Sequence, residues 1–282
     1  MGLPMVRCLL KAGHVVKVHN RSQARVLEAV EAGAQQADKA SVAEGVDAVV
    51  TMLPAGRDVR DVLGGPGGLL ACAGKGTLFI DCSTIDVDTA RALADDAHAA
   101  CLKMIDAPVS GGVAKAQLGT LTFMVGGNKD ELEQARPILE GMGQTIIHAG
   151  SSGAGQAAKA CNNMMLAICM LAVSEAFTLA QRVRLDVTTL FEICQQSSGQ
   201  SWVMNHYHPL PGLVETSPAN NDYKPGFTAS MMLKDLQLSQ SAAKSGQLHT
   251  PVGALVSELY EKFVDSGHGD VDFSAIIRLI SE

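Results

Sequence analysis

The chain predicts an α/β architecture in two parts, a doubly wound sheet over residues 1–150 followed by an all-helical region over 151–282. Two observations carry this. Up to Gly150, short apolar runs alternate with helical stretches and turn residues. Beyond it strand signals nearly vanish and long runs of helix formers take over. Strands alternating with helices imply parallel pairing through right-handed crossovers, and 282 residues leave room for about two domains.

Taken in order, Met1-Gly2-Leu3-Pro4-Met5 opens a helix that ends at Gly13. Val15–Val18 reads as a strand, and a helix from Ser22 towards Ala32 is closed by Gly33. Asp47–Leu53 is a second strand, stopped by Pro54; Thr77–Cys82 is a third, leading to an amphipathic helix that Asp86 can cap. Leu102–Asp106 is a fourth, halted by Pro108. Thr120–Val125 alternates, with Leu121, Phe123 and Val125 on one face, and Gln144–His148 closes the series. A long helix beginning near Gly155 and running to about Arg182 joins the two parts. Further helices are expected at 187–196, 230–244, 252–264 and 273–280, with Pro251 as first helical residue after Thr250. Between them, 200–227 is rich in Pro, Asn, Gly and aromatics, an ordered loop or lid rather than a linker.

Composition excludes several classes. A net charge of −7 argues against a nucleic-acid footprint and would not attract anionic lipid. The apolar run Met164–Val173 is too short to span a bilayer and meets Ser174-Glu175. No targeting segment opens the chain, and cysteines 8, 72, 82, 101, 161, 169 and 194 are scattered without C-x-x-C, which suits reduced thiols in the cytoplasm and no metal site. His206-Tyr207-His208 reads as ordinary loop, and Met164, Met165 and Met170 as core packing.

In open α/β sheets, ligands bind beyond the carboxyl ends of the strands. Met52-Leu53-Pro54, Cys82-Ser83-Thr84 and Asp106–Gly112 fall there. Ser110-Gly111-Gly112 offers a hydroxyl and unshielded amides, a nest suited to a small carboxylate, or else a plain glycine turn. Asn20-Arg21-Ser22 follows the first visible strand, where Asn20 can bond a ribose hydroxyl and Arg21 can pair with a 2′-phosphate, or else cap a solvated turn. Gly2 stands at a helix start, where backbone amides face a phosphate in dinucleotide folds, or else it belongs to an ordinary N-terminus. On the long helix, Lys159 and Asn163 are four apart and share a face. Desolvation lowers the pKa of a buried ammonium towards the range useful for proton transfer; the alternative is a lysine snorkelling to the surface. Lys234-Asp235 is a polar pair in an apolar helix, otherwise a surface ion pair.

Together, Asp106–Gly112, Gly153–Asn163 and Leu233-Lys234-Asp235-Leu236 resemble the substrate, catalytic and cofactor motifs of the β-hydroxyacid dehydrogenase family, over the whole chain. The resemblance implies a Rossmann-like sheet, NAD as cofactor and a small hydroxyacid substrate; Asn20 and Arg21 leave NADP open, and apolar faces on the helical region suggest a homodimer or homotetramer. By position, Lys159 is then catalytic; Leu53, Pro54, Asp58, Thr84 and Lys234 contact the cofactor; Ser110, Gly111 and Gly112 hold the substrate carboxylate, which Asn163 helps orient. Ser197–Gly199 with Trp202, Tyr207–Gly212 and Ser217–Phe227 resemble the branch that oxidises a 3-hydroxyacid of valine breakdown. Reductases of tartronate, glyoxylate or succinic semialdehyde, and a catalytically dead scaffold, are the competing readings. The chain departs from the family pattern at its start, where it begins at Met1-Gly2-Leu3-Pro4-Met5 without the preceding strand and two glycines. The expectation is an internal methionine taken as the start, and a sheet lacking its central first strand with two unpaired edges.

Overall fold

The computed structural model describes residues 1–65 and 67–281, which divide into two compact units, 1–159 and 160–282. The first unit runs α1 (Gly2–Lys11), β1 (Lys17–Val18), α2 (Gln23–Glu31), β2 (Gln35–Gln36), β3 (Ala48–Thr51), α3 (Gly56–Leu63), α4 (Leu69–Cys72), β4 (Leu78–Asp81) and α5 (Val87–Ala99). It continues with β5 (Lys103–Asp106), β6 (Val109–Ser110), α6 (Gly112–Leu118), β7 (Leu121–Gly126), α7 (Lys129–Glu140), β8 (Gly143–Gly150) and the start of α8 (Ala154–Arg182).

Strands β3, β4 and β5 pair in parallel, in a register that aligns Thr51, Asp81 and Asp106 across their carboxyl ends. All four residues of β4 are buried, as a central strand covered on both faces requires. In β7, Leu121, Phe123 and Val125 are each 0% exposed, so the alternation does place one face in the core. Fully burying one such side chain contributes about 1.5–3 kcal/mol. Asp86 caps α5 by accepting the Thr89 N–H at 2.8 Å, and α7 opens on a capping box of Asn128 and Glu131.

The expectation of parallel pairing holds for β1 with β2 and for β3 to β5, and is corrected at β7. β7 runs antiparallel to β5 and β6, and only β8 returns parallel to it. Pro108 has no N–H to continue the ladder, so β5 and β6 are two short segments along one edge of β7. The connection 111–120 then falls short of the dozen or so residues that a parallel return needs. The strand at 15–18 pairs only over Lys17–Val18, with Val15 82% exposed. Its partner β2 is made of two glutamines, for which the sequence carries no strand signal. Among the described residues, β1–β2 and β3–β8 are separate hydrogen-bonded sheets, with β3 at one end of the larger.

The second unit holds the rest of α8, then α9 (Val187–Gln195), α10 (Trp202–His206), α11 (Ala229–Ser245), α12 (Pro251–Phe263) and α13 (Ile277–Ser281). Its core gathers Phe177, Met204, Met232, Leu236, Tyr260, Phe263 and Phe273. By length and composition α8 could cross a bilayer, but half of its apolar window is buried within the protein. Pro251 is the first residue of α12, as expected, although the Thr250 side chain makes no capping bond and donates instead to Gln240 Oε1 at 3.0 Å. Segment 200–227 is tied to itself by hydrogen bonds. Ser217 Oγ donates to the His208 carbonyl at 2.6 Å and Tyr223 Oη to that of Pro209 at 2.8 Å.

Two further expectations need correction here. His208 is no ordinary loop residue: it is 0% exposed, edge-on to Phe177 and Phe191, and burial pushes its imidazole down to about 4. Its Nδ1 accepts the Leu210 N–H at 3.1 Å, whereas Nε2 has no partner among the described residues. Of the three methionines, Met170 is buried and Met164 packs on the core, but Met165 is 60% exposed, because it projects from the opposite side of α8.

Candidate active site

The carboxyl ends of β3, β4 and β5 carry one buried polar network. Asp81 Oδ1 accepts from Thr51 Oγ1 at 2.7 Å and from Ser83 Oγ at 2.6 Å, and Ser83 Oγ in turn accepts the Leu53 N–H at 2.9 Å. Leu53-Pro54 and Ser83-Thr84 are thus fastened to each other through the Ser83 hydroxyl, which Asp81 holds in place. That carboxyl is pushed up by its burial, against the pull of the bonds from Ser83 and Thr51. Its Oδ2 is buried with no partner among the described residues.

Asp106 fastens the helix that bears Lys159. Gly153 N–H donates to Oδ1 at 2.6 Å and Gln156 N–H to Oδ2 at 2.9 Å, so the carboxylate caps the first turn of α8. Burial raises this carboxyl too, and those two amides oppose the rise. The approach is close enough to demand glycine at 155, where a Cβ would meet the Met124 carbonyl oxygen and stand 2.8 Å from Asp106 Oδ2. From Asp106 the chain passes directly to Ser110-Gly111-Gly112, where Gly111 (φ +132°) and Gly112 (φ +65°) adopt a backbone open to glycine and open α6.

Lys159 retains 9% of its surface, so it is not a lysine snorkelling into solvent. Gln156, Lys159 and Asn163 follow at three and four residues along α8 and so share one face of it.

In the second unit, Asn163 is 2% exposed; its Nδ2 donates to Asp235 Oδ2 at 2.5 Å. Lys234 Nζ lies 3.1 Å from Asp235 Oδ1, with side-chain exposures of 33% and 4%, which is not a surface ion pair.

At the carboxyl ends of β1 and β2 lies a cleft of about 460 Å³ lined by His19, Asn20, Gln23, Gln36 and Asp38 among others. Asn20 Oδ1 accepts the Ser22 N–H at 2.9 Å, which caps the turn and leaves the amide NH₂ as a donor for a ribose hydroxyl. The structure brings Arg21 and Asp58 together at 3.6 Å. Gly2 begins α1 beside the end of β3, with only Met52 Cβ, at 3.9 Å, within reach of an added Cβ. These residues fit a dinucleotide: a polar cleft of nucleoside size, a helix start beside a strand end, and the Leu53 and Thr84 segments fixed at the neighbouring strand ends.

The sequence does not single out Asp81, and it places Asp106, Gln156 and Asp235 within motifs without giving any of them a role of its own. A signal existed for the helix-borne pair, since Gln156 and Asp235 are polar residues in apolar stretches. The strand-end aspartates are told from ordinary turn residues only by their partners.

This arrangement defines the class, a nicotinamide-dependent dehydrogenase built on an α/β sheet. Residues 1–150 match the NAD-binding domain family of 6-phosphogluconate dehydrogenase, and 153–280 match the NAD-binding family of NADP-dependent 3-hydroxyisobutyrate dehydrogenase. The chain is 47% identical to a 3-hydroxyisobutyrate dehydrogenase of Pseudomonas aeruginosa, over 99% of this chain and 95% of that one. It is 45% identical to an NAD-dependent L-serine dehydrogenase of the same organism, over 99% and 94%. A solved 3-hydroxyisobutyrate dehydrogenase of Mycobacterium tuberculosis with L-serine superposes with a TM-score of 0.94 at 42% identity, covering 100% of this chain and 96% of that one. The chain belongs to the 3-hydroxyisobutyrate dehydrogenase family.

Proposed function

We propose that the chain oxidises 3-hydroxyisobutyrate to methylmalonate semialdehyde with NAD, a step of valine breakdown, and that Lys159 is its catalytic residue. The observation that carries this reading is the shielding of Lys159, 9% exposed, on a helix whose first turn is bonded to the strand end leading into Ser110-Gly111-Gly112.

The substrate carboxylate accepts hydrogen bonds from the Ser110 hydroxyl and the amides of Gly111 and Gly112. Lys159 Nζ takes the proton of the substrate hydroxyl and, as an ammonium, stays beside the oxygen as it becomes a carbonyl. The nicotinamide ring supplies the hydride acceptor. Asn163 orients the substrate, held in turn by Asp235. Leu53, Pro54, Thr84 and Lys234 contact the cofactor, with Gly2 and Asn20 towards its phosphate and ribose. NAD is the cofactor supported by the NAD-dependent relative, and NADP stays in the comparison because Arg21, 80% exposed and 3.6 Å from Asp58, can still pair with a 2′-phosphate.

Lys159→Ala is expected to lower kcat by about 10²–10⁴-fold and to spare cofactor binding; turnover within tenfold of the parent removes Lys159 from this role. A panel of hydroxyacids and semialdehydes with both cofactors tests the substrate. The highest kcat/KM is expected for 3-hydroxyisobutyrate with NAD, and a preference for reducing tartronate, glyoxylate or succinic semialdehyde overturns the assignment. L-serine is the second reading. It carries an amino group where 3-hydroxyisobutyrate carries a methyl, and both the serine dehydrogenase relative and the serine-bearing structure favour its inclusion in the panel.

The chain acts in the cytoplasm as a homodimer or homotetramer. Exposed apolar side chains support the oligomer, among them Leu179 of α8, Val183 just beyond its end, and Val252 and Leu255 of α12. A purely monomeric mass by light scattering contradicts it.

A further inference from the structure

We propose that Gln156 is a positioning residue for hydride transfer, setting Thr84 in register with Lys159. The inference rests on the dehydrogenase reading above. It starts from a two-sided bond. Gln156 Nε2 donates to the Ser83 carbonyl at 2.8 Å, and its Oε1 accepts the Ile85 N–H at 3.1 Å. One side-chain amide therefore grips the two backbone groups that flank Thr84, as a neighbouring strand would. Gln156 is 1% exposed, and Ser83 and Ile85 are 0% and 2% exposed, so neither backbone group has water as a substitute partner.

The segment is fixed on its other side as well. Ser83 Oγ donates to Asp81 and accepts from Leu53, and Asp86, two residues beyond Thr84, caps α5. From Asp81 to Ile85 every residue is buried except Thr84. The grip thus leaves one side chain of this strand end presented for contact. Meanwhile the backbone N–H of Gln156 is held by Asp106, and Lys159 follows three residues later on the same face of α8. A single residue therefore ties the cofactor-facing strand end to the helix turn that places the catalytic amine. Displacements of about 1 Å in such a constellation cost on the order of a hundredfold in rate.

Two variants test this. Gln156→Met keeps the length of the side chain and removes both bonds. Amide hydrogen exchange of peptides spanning 82–86 in the free protein is expected to quicken about tenfold or more. With it kcat is expected to fall about a hundredfold while KM for the hydroxyacid stays within about threefold. Gln156→Glu restores the grip only when protonated, because the acid can then donate to the Ser83 carbonyl and accept from Ile85. Its kcat, divided by that of the parent at each pH, is expected to rise as pH falls from about 9 to 6, since burial raises a carboxyl pKa. The charged groups facing this position are Asp106, which accepts the Gln156 N–H, Asp81, which holds Ser83, and Lys159 one turn on. Because a carboxylate at 156 also acts on these groups, protection of 82–86 against exchange is followed over the same pH range and must rise with the ratio. Exchange at 82–86 unchanged in Gln156→Met overturns the proposal. So does a kcat within threefold of the parent, or a flat ratio in Gln156→Glu. If the parent turns over no hydroxyacid in the panel, the dehydrogenase reading fails on that result alone, and the exchange measurement still decides whether Gln156 holds the strand end.

Discussion

Replacing Asp106 by alanine removes the only side chain seen to cap the first turn of α8 among the described residues. Two buried amides lose their acceptor, that of Gly153 at 2.6 Å and that of Gln156 at 2.9 Å. Hydrogen bonds to a charged group are worth about 1.5–3 kcal/mol each. The raised carboxyl of Asp106 shows that its burial is itself costly, so the lower end applies and the two together come to about 3 kcal/mol. For a domain of this size each kcal/mol lowers the melting temperature by about 2–4 °C, giving a fall of about 6–12 °C. The loss falls on the turn that carries Gln156, just ahead of Lys159, so kcat should drop about ten- to a hundredfold with a smaller change in KM. Scanning calorimetry and steady-state kinetics on the purified variant read both. A melting temperature within 2 °C of the parent together with a kcat within about threefold would show that the helix needs no cap, and would refute the reasoning.

Three further outcomes follow from the same geometry. Gly155→Ala drives a Cβ into the Met124 carbonyl oxygen and to within 2.8 Å of Asp106 Oδ2; it should cost at least as much stability as Asp106→Ala, and a melting temperature equal to the parent's contradicts the close approach. Asp272→Ala deprives Tyr207 Oη, the Gly226 and Phe227 amides and Ser274 of one shared acceptor, so segment 200–227 should become the first site of limited proteolysis, at a cost of about 3–5 kcal/mol. His208 gives the helical unit an acid sensitivity of definite sign. Its folded imidazole is pushed down to about 4 from 6.5, so as pH falls the unfolded chain takes up a proton first. Stability present above pH 6.5 is lost progressively towards pH 4, by about 3 kcal/mol. Asp81 and Asp106 act in the opposite sense, since their raised carboxyls favour the folded state as pH falls. The comparison is therefore the difference between the parent and His208→Leu, which should shrink or reverse between pH 7 and pH 4 in thermal melts; a constant difference rejects the buried neutral imidazole.

Much of this protein is legible in its residues taken a few at a time. The alternation at Leu121, Phe123 and Val125, the Asp86 cap, Gly33 at the end of α2 and Pro251 at the start of α12 are all local signals, because the partners lie within a helical turn or on one strand face. The glycine turn after Ser110 and the lone lysine in an apolar helix are local signals of the same kind. The pairing of β2 was not legible, since Gln35 and Gln36 carry no strand preference and are extended only because β1 offers them a ladder. Nor was the direction of β7, which follows from how short the connection after Pro108 is.

From its sequence alone, the chain determined its two-part α/β and helical plan, its motif segments and the amine expected to do the chemistry, because each is written in residue type and spacing. Tertiary structure alone decided that Asp106, placed in register with Asp81 by the β4–β5 ladder, caps a helix 47 residues further on. It alone decided that Gln156 grips Ser83 across a separation of 73 residues and that Asp235 holds Asn163 across 72. The physical reason is one of range. A side chain's hydrogen-bond capacity is fixed by its chemistry, but which donor or acceptor satisfies it once water is gone depends on strand register and helix placement, and no short stretch of sequence encodes those.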